Sequence, residues 1–182
     1  MHFCIYVVGN GDLETDLAPF QQNNMDDVEE QYLEFVDCTE EVERQWEDFP
    51  LTCLANSGAE REYETIAEFA YAWFGYEEQD GKFGFIENPN GKWDWWVIGG
   101  RWSDMLPLKS GKMTDQAYIE DIDQSEINIP SAVVYNGKWI AGKVENPFSW
   151  TEEEEEVWDN EIKALFSDLP PGTVVTVVDC HT

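Results

Sequence analysis

Basic residues are scarce in this chain of 182 residues, which has 10 lysines and arginines against 39 aspartates and glutamates. The formal net charge at pH 7 is therefore −29, with the two histidines counted as neutral. A field of this sign repels the phosphates of nucleic acids and the headgroups of anionic membranes. The charge balance argues against direct nucleic-acid binding and favours a basic protein partner, although acidity can also serve solubility alone.

Long apolar runs are also missing. No stretch of about 18 apolar residues occurs, so the sequence predicts no membrane span. The first residues, MHFCIYVVGNG, have neither a basic leader nor a small-residue cleavage site. They predict a strand that starts almost at once rather than a signal peptide, and we expect a cytoplasmic protein.

Motifs for metal and cofactor chemistry are absent as well. The chain has four cysteines, all far apart and without a CxxC pair: Cys4, Cys38, Cys53 and Cys180. With only His2 and His181 as further ligands, a structural zinc site is not expected. No glycine-rich phosphate loop, GxSxG or HExxH motif occurs. We interpret the cysteines as reduced, partly buried thiols and expect no metal and no cofactor.

Apolar runs at both ends of the chain and two turn signals between them predict strands. Residues 2–9 (HFCIYVVG) and 173–182 (TVVTVVDCHT) have the composition of buried strands, and the second is expected inside a sheet. Two hairpins are predicted, one around the Asn-Pro-Asn-Gly turn at 88–91 and one around Asn136-Gly137.

Three helices are predicted from their caps and apolar periodicity. Thr39 is the expected N-cap of the first, which Pro50 is expected to end. The second covers residues 65–75, with a capping box at its start and a glycine after its end. The third covers residues 151–169, again with a capping box. Its predicted buried face consists of Trp158, Ile162, Leu165, Phe166 and Leu169.

The order of elements is strand, helical segments, hairpin, hairpin, helix and strand. This order predicts an α+β fold with a mostly antiparallel sheet and helices packed on it. No internal repeat or linker is visible. We therefore predict a single domain over residues 1–182.

Residues 88–104, NPNGKWDWWVIGGRWSD, hold four of the nine tryptophans. As a strand over 92–98, they would carry aromatic side chains on both faces. Gly99-Gly100 permits a close backbone approach, and Arg101 is expected to pair with a carboxylate, either Asp94 or Asp104. We interpret the stretch as an aromatic core at the centre of the sheet. The alternative is a pocket of an enzyme or small-ligand binder. Its residues would be Trp93, Asp94, Trp95, Arg101, Cys180 and His181.

The C-terminal residues Asp179, Cys180 and His181 raise the possibility of nucleophilic chemistry. Neighbouring residues of a strand point to opposite faces, so Cys180 and His181 cannot easily form a hydrogen bond. A cysteine–histidine pair would need a partner from the first strand, such as His2 or Cys4. Catalysis here is the weaker alternative.

Carboxylates are concentrated in three blocks, at residues 26–34, 40–48 and 152–156. Rows of carboxylates on helices can imitate duplex phosphates and occupy a basic groove of a partner. A solvated charged face is the alternative. No EF-hand spacing favours calcium. The predicted partner-binding residues are Asp26, Asp27, Glu29, Glu30, Glu40, Glu41, Glu43, Glu152, Glu153, Glu155 and Glu156.

Four stretches resemble a family of bacterial and phage-encoded proteins without a settled activity: FVDCTEE (35–41), residues 88–104, NGKW (136–139) and TVVDCHT (176–182). The hallmark of the family is similar to NPNxKWDWYxIGGRW. This chain departs from it at Gly91, where the family often has alanine, and at Trp96, where the family often has tyrosine. The resemblance implies a full-length family domain of phage or mobile-element origin. Small acidic proteins of such elements are often inhibitors of host defence nucleases.

Together, charge and resemblance suggest a non-enzymatic inhibitor of a CRISPR effector nuclease or a restriction enzyme that acts as a DNA mimic. Exposed aromatic residues such as Trp46 are expected to anchor the contact. The rival hypotheses are an enzyme or ligand binder that uses the tryptophan-rich stretch, and a structural or regulatory protein with an unrelated partner.

Overall fold

The structure is a computed structural model that describes residues 1–25, 27–56, 63–142 and 151–182, with the backbone alone over 49–56. The described residues contain α-helices α1 (Leu13–Leu17), α2 (Thr39–Asn56), α3 (Ile66–Phe74) and α4 (Glu152–Asp168). The strands are β1 (His2–Val8), β2 (Glu34–Asp37), β3 (Glu77–Gln79), β4 (Lys82–Glu87), β5 (Trp95–Ile98), β6 (Leu106–Pro107), β7 (Met113–Thr114), β8 (Gln116–Tyr118), β9 (Ala132–Tyr135), β10 (Lys138–Ala141) and β11 (Val174–His181). The predicted α+β class is confirmed. None of the described helices has the length and apolar character to cross a membrane.

The chain divides into two compact units. Unit 1 comprises Met1–Val28 and Asn90–Thr182, and unit 2 comprises Glu29–Pro89. The single-domain organisation stays a prediction, and the two units are described separately.

Unit 1 is built on a six-stranded sheet in the order β10-β9-β1-β11-β5, with β8 also paired to β11. Among these described strands, β1 and β9 are parallel and the other pairs are antiparallel. The register of β1 and β11 runs from His2 opposite His181 to Val8 opposite Val175. The final strand therefore lies inside the sheet, as predicted, because both of its edges are hydrogen-bonded.

Side chains of β1 alternate between two buried clusters of unit 1. Tyr6 and Val8 pack on one face with Trp158, Ile162 and Phe166 of α4. The predicted buried face of α4 is thus confirmed, with Leu165 only partly buried. Ile5 and Val7 pack on the other face, in a cluster with Leu17, Phe20 and Trp93. The period of two along a strand places apolar residues on both faces, which explains why the β1 sequence is almost continuously apolar.

Unit 2 contains a three-stranded antiparallel sheet in the order β2-β4-β3. Its buried cluster consists of Val42, Phe69, Ala70 and Phe83. Helix α3 starts at a Thr65 N-cap, whose side chain accepts a hydrogen bond from the backbone of Glu68 at 3.1 Å, as predicted.

The first predicted hairpin is wrong. The two strands that flank the turn at 88–91 belong to different sheets, because β4 pairs with β2 and β3 whereas β5 pairs with β11. The turn of unit 2 is instead Asp80-Gly81, with φ of 52° and 77°. The second predicted hairpin, β9–β10 around Asn136-Gly137, is confirmed, with φ of 51° and 68°. A turn dipeptide permits a hairpin, but the partners of the flanking strands decide whether one forms.

Two further boundaries differ from the prediction. Helix α2 continues past Pro50 to Asn56. The fixed φ of proline is compatible with a helix, although the residue removes one hydrogen bond and crowds the preceding turn. Thr39 is its first residue rather than its cap, and its backbone N–H donates to the Asp37 carboxylate at 3.1 Å. Residues 104–130, which lie between the two predicted hairpins, contain the short strands β6, β7 and β8, none of which is predicted. Strands of two or three residues are too short to show an alternating pattern.

Candidate functional site

The tryptophan-rich stretch lies at the edge of the unit 1 sheet and not at its centre. The centre is formed by β1 and β11, and β5 is the outer strand beside β11. Trp93 precedes β5, is only 6% exposed and donates from Nε1 to the Leu17 carbonyl at 3.2 Å. Trp96 packs on the same cluster as Trp93, whereas Trp95 is 50% exposed. The strand begins only at Trp95 and not at residue 92, so Trp93 and Trp96 contact the same cluster although a strand over 92–98 would turn them to opposite faces.

Gly99 and Gly100 bring the backbone against a buried carboxylate. Both have positive φ, 69° and 56°, and a Cβ on Gly100 would lie 2.5 Å from Asp179 Oδ2. The next backbone N–H, that of Arg101, donates to the same oxygen at 2.9 Å. Asp179 is 1% exposed, so the bond satisfies a buried charge. The IGGRW and TVVDCH segments of the sequence therefore meet at this carboxylate.

The predicted ion pair of Arg101 is wrong. Its side chain is exposed, and no carboxylate of the described residues lies within ion-pair distance of it. Asp94 contacts His181 instead, and the backbone N–H of Asp104 donates to Asp115. The turn over Gly100–Trp102 uses the backbone of Arg101 and leaves its side chain in solvent, where an ion pair would gain little.

Both histidines of the chain lie side by side at one end of the sheet. His2 and His181 are opposite each other in the β1–β11 register, with ring centroids 5.0 Å apart. His2 Nδ1 lies 2.9 Å from Asp179 Oδ1, and His181 Nδ1 lies 2.8 Å from Asp94 Oδ1. An ionised carboxylate only accepts hydrogen bonds, so each contact makes Nδ1 the protonated nitrogen and leaves Nε2 with a lone pair in the neutral ring.

Sequence reasoning found Asp94 and His181 as site residues but missed the contact of His2 with Asp179. The available signal was the pairing of the first and last strands, which places HFC opposite DCH. That signal can be used only when the register is known, because a shift of one strand by one residue would turn every side chain of that strand to the other face.

The buried cysteines take no part in the histidine surface. Burial, followed by the nearby Asp179 charge, raises the pKa of Cys4 to about 12. Burial likewise raises the pKa of Cys180, which is 0% exposed and packs on the face of the sheet opposite His181. Both are free thiols held in the neutral form, which is the unreactive one.

Two cavities among the described residues of unit 1 are lined by other residues. One of about 910 Å³ is lined by Lys92, Trp139 and Glu155, among others, and one of about 520 Å³ by Leu108 and Tyr118, among others. Neither is lined by the alternative pocket residues. Asp94, Trp95 and Arg101 are each exposed.

The predicted partner-binding carboxylates are divided between the units. Asp26 lies outside the described residues, and Asp27 and the four glutamates of α4 are exposed in unit 1. The unit 2 residues are exposed except for Glu41, which is half-buried: Glu29, Glu30, Glu40, Glu41 and Glu43. In the part of the chain with described side chains, the lysine–carboxylate ion pairs are Lys82–Asp37 and Lys163–Asp159. None of the predicted contact residues with a described side chain pairs with a lysine or arginine there.

Unit 2 has the higher density of acidic residues. Although it is shorter, it holds 17 of the 39 acidic residues and 3 of the 10 basic residues. Comparison of the chain with family models, curated proteins and solved structures gave no match. The resemblance to the bacterial and phage family stays a prediction, and the function is argued from geometry and charge.

Proposed function

We propose that the protein is a non-enzymatic inhibitor, encoded by a phage or mobile element, that acts in the host cytoplasm as a DNA mimic. Its target would be the basic nucleic-acid groove of a CRISPR effector nuclease or a restriction enzyme. The observation that carries the proposal is the charge of unit 2, with 17 acidic and 3 basic residues in its sequence and with Glu40, Glu43 and Glu47 exposed on the surface of α2. Such a surface attracts a groove lined by lysine and arginine and repels nucleic acid itself.

Helix α2 supplies the row of charges. Glu40, Glu43 and Glu47 are exposed and recur at the spacing of one helical face. At about 1.5 Å of rise per residue they cover about 10 Å of the helix axis. A DNA strand carries one phosphate per about 3.4 Å of axis, so the row spans about the length of three phosphates. This spacing supports a contact along the backbone path of a duplex.

A half-exposed indole beside α2 supplies the anchor. The predicted anchor, Trp46, is partly buried against the core of unit 2, with its ring 5.4 Å from that of Phe69. Trp73 is 53% exposed and stacks on the same Phe69 ring at 6.0 Å. Tryptophans are enriched among residues that dominate binding energy, whereas charges mainly raise the association rate. We therefore propose that Trp73, and not Trp46, is the aromatic anchor of the contact.

Crosslinking with mass spectrometry in host lysate, followed by competition with duplex DNA, tests the proposal. The crosslinked partner should be a nucleic-acid-binding protein, and duplex DNA should displace the inhibitor from it. The variant with Glu40, Glu43 and Glu47 changed to Gln should weaken binding and flatten its salt dependence. Trp73→Ala should weaken binding mainly through faster dissociation.

The matched control changes Glu14, Glu126 and Glu161, which are exposed in unit 1 and outside the predicted partner-binding set, to Gln and so removes the same charge. If the two triple variants weaken binding equally, the contact is not specific to α2. If DNA fails to displace the inhibitor from its partner, mimicry is wrong.

A further inference from the structure

The end of the unit 1 sheet where β1 starts and β11 finishes carries two imidazoles in fixed orientations. His2 is held through Asp179, which is 1% exposed and also accepts the Arg101 backbone N–H. His181 is held through Asp94, whose own backbone N–H donates to the His181 carbonyl at 2.9 Å. Both rings are thus oriented by carboxylates that are themselves positioned by backbone hydrogen bonds.

The other nitrogen of each ring is available. Within the described residues, neither Nε2 has a hydrogen-bond partner, and the side chains of His2 and His181 are 21% and 39% exposed. A carboxylate on Nδ1 with a free Nε2 is the arrangement by which proteins orient histidines toward a transition metal. It is present here twice, on directly opposite residues of adjacent strands.

The separation of the rings fits a shared ion. With metal–nitrogen bonds of about 2.0–2.1 Å, an imidazole centroid lies about 3.2 Å from the metal. Two such rings at octahedral or tetrahedral angles have centroids about 4.5–5.2 Å apart. The observed centroids are 5.0 Å apart, with ring planes at 69°.

We propose that His2 and His181 form a binding site for a divalent transition-metal ion such as Zn²⁺, Ni²⁺ or Cu²⁺. The described residues contain no group of three or more His, Cys, Asp and Glu arranged around one ion, so water completes the coordination. Imidazole ligands select these ions over Mg²⁺ and Ca²⁺, which prefer oxygen. Open positions make the ion an exchangeable centre at the surface, in contrast to a closed structural site. The site does not rest on the proposed inhibitor function.

Calorimetric titration of the tag-free protein with Zn²⁺ tests the site, since a histidine tag would bind the same ions. Excess Mg²⁺ occupies the many carboxylates and suppresses their contribution. One saturable Zn²⁺ site per chain is expected. His181→Ala should lower its affinity by at least about tenfold, because one of two protein ligands is lost. This variant leaves His2 and its neighbours in the sequence unchanged, and therefore separates the cross-strand site from chelation by the first residues alone.

Two further variants separate ligands from positioning residues. Asp94→Asn keeps both imidazoles and should weaken Zn²⁺ binding by about 10–100-fold, since Asp94 orients His181. Glu155→Gln with Glu156→Gln removes two exposed charges and should leave the site unchanged. Circular dichroism confirms that each variant is folded. Unchanged Zn²⁺ affinity in folded His181→Ala, or no saturable site in the wild-type protein, would overturn the proposal.

Discussion

Asp179 of unit 1 and the α2 glutamates of unit 2 are carboxylates in opposite environments. Unit 1 encloses Asp179 beneath the Gly99-Gly100 turn and satisfies it with a backbone N–H and a histidine. Unit 2 leaves Glu40, Glu43 and Glu47 on the surface of α2. A buried carboxylate must be hydrogen-bonded and so organises the chain around it, whereas an exposed one acts at a distance through its field. The same residue type is therefore structural in one unit and, by our proposal, functional in the other.

The largest expected effect distinguishes the packed interior of unit 1 from the surface of unit 2. Trp158 is 1% exposed, and its Nε1 donates to the Pro130 carbonyl at 2.8 Å. Trp158→Ala should lower the free energy of unfolding by about 3–5 kcal/mol, measured by urea denaturation. Tyr71→Ala, at a side chain 67% exposed, should change it by less than about 0.5 kcal/mol. Equal effects would contradict the comparison. A single transition for both units would support the single-domain prediction.

A smaller effect is expected where the backbone meets Asp179. Gly100→Ala should cost about 2–4 kcal/mol, because φ is +56° and the added Cβ would displace the carboxylate. Gly111→Ala is the matched control, since its φ is +79° but no atom lies within 4 Å of the added Cβ. The control should cost about 1–2 kcal/mol in thermal or urea unfolding. If the two variants lose the same stability, the close approach to Asp179 contributes nothing.

Loss of a helix N-cap should lower the free energy of unfolding by a similar amount in the two units. Thr151 of unit 1 accepts from Glu154 N–H at 3.2 Å, and Thr65 of unit 2 accepts from Glu68 N–H at 3.1 Å. Thr→Ala at either position should cost about 1 kcal/mol, because one backbone donor of the first turn loses its partner. Urea midpoints should recover with Ser at the same positions. A loss that persists with Ser would assign the effect to packing rather than to the cap.

The smallest effect concerns acid stability of unit 2. Hydrogen bonds from Lys82 and then from the Thr39 hydroxyl and amide lower the pKa of Asp37 from 3.8 to about 2. A carboxyl whose folded pKa is lowered stabilises the fold above its unfolded pKa, and this stability is lost as the pH falls through the folded value. Stability measured by urea unfolding should therefore fall between about pH 4 and pH 2 relative to Asp37→Asn. If stability depends on pH in the same way in the wild-type protein and in Asp37→Asn, the contacts of Asp37 have no net effect on stability. Solvent would then screen this fully exposed carboxylate.

Local features were predictable from the sequence to the extent that their causes are local. The capping box of α4 and the Asn136-Gly137 turn depend on residues within a few positions, and both are confirmed. The turn at 88–91 has a similar local signal but connects two sheets, because the partners of β4 and β5 lie far away in the sequence. The exposure of the Arg101 side chain could not be predicted from the sequence either, because Arg101 contacts Asp179 through its backbone N–H and not through its charged side chain.

The sequence by itself determined the excess negative charge, the α+β class and the strand character of both chain ends, because composition and short-range periodicity suffice for these. Only the tertiary structure decided that His2 meets Asp179 across 177 positions and that His181 lies beside it. The physical reason is the register of β1 against β11. A shift of β11 by one residue would preserve every apolar run and yet place His181 on the opposite face of the sheet from His2.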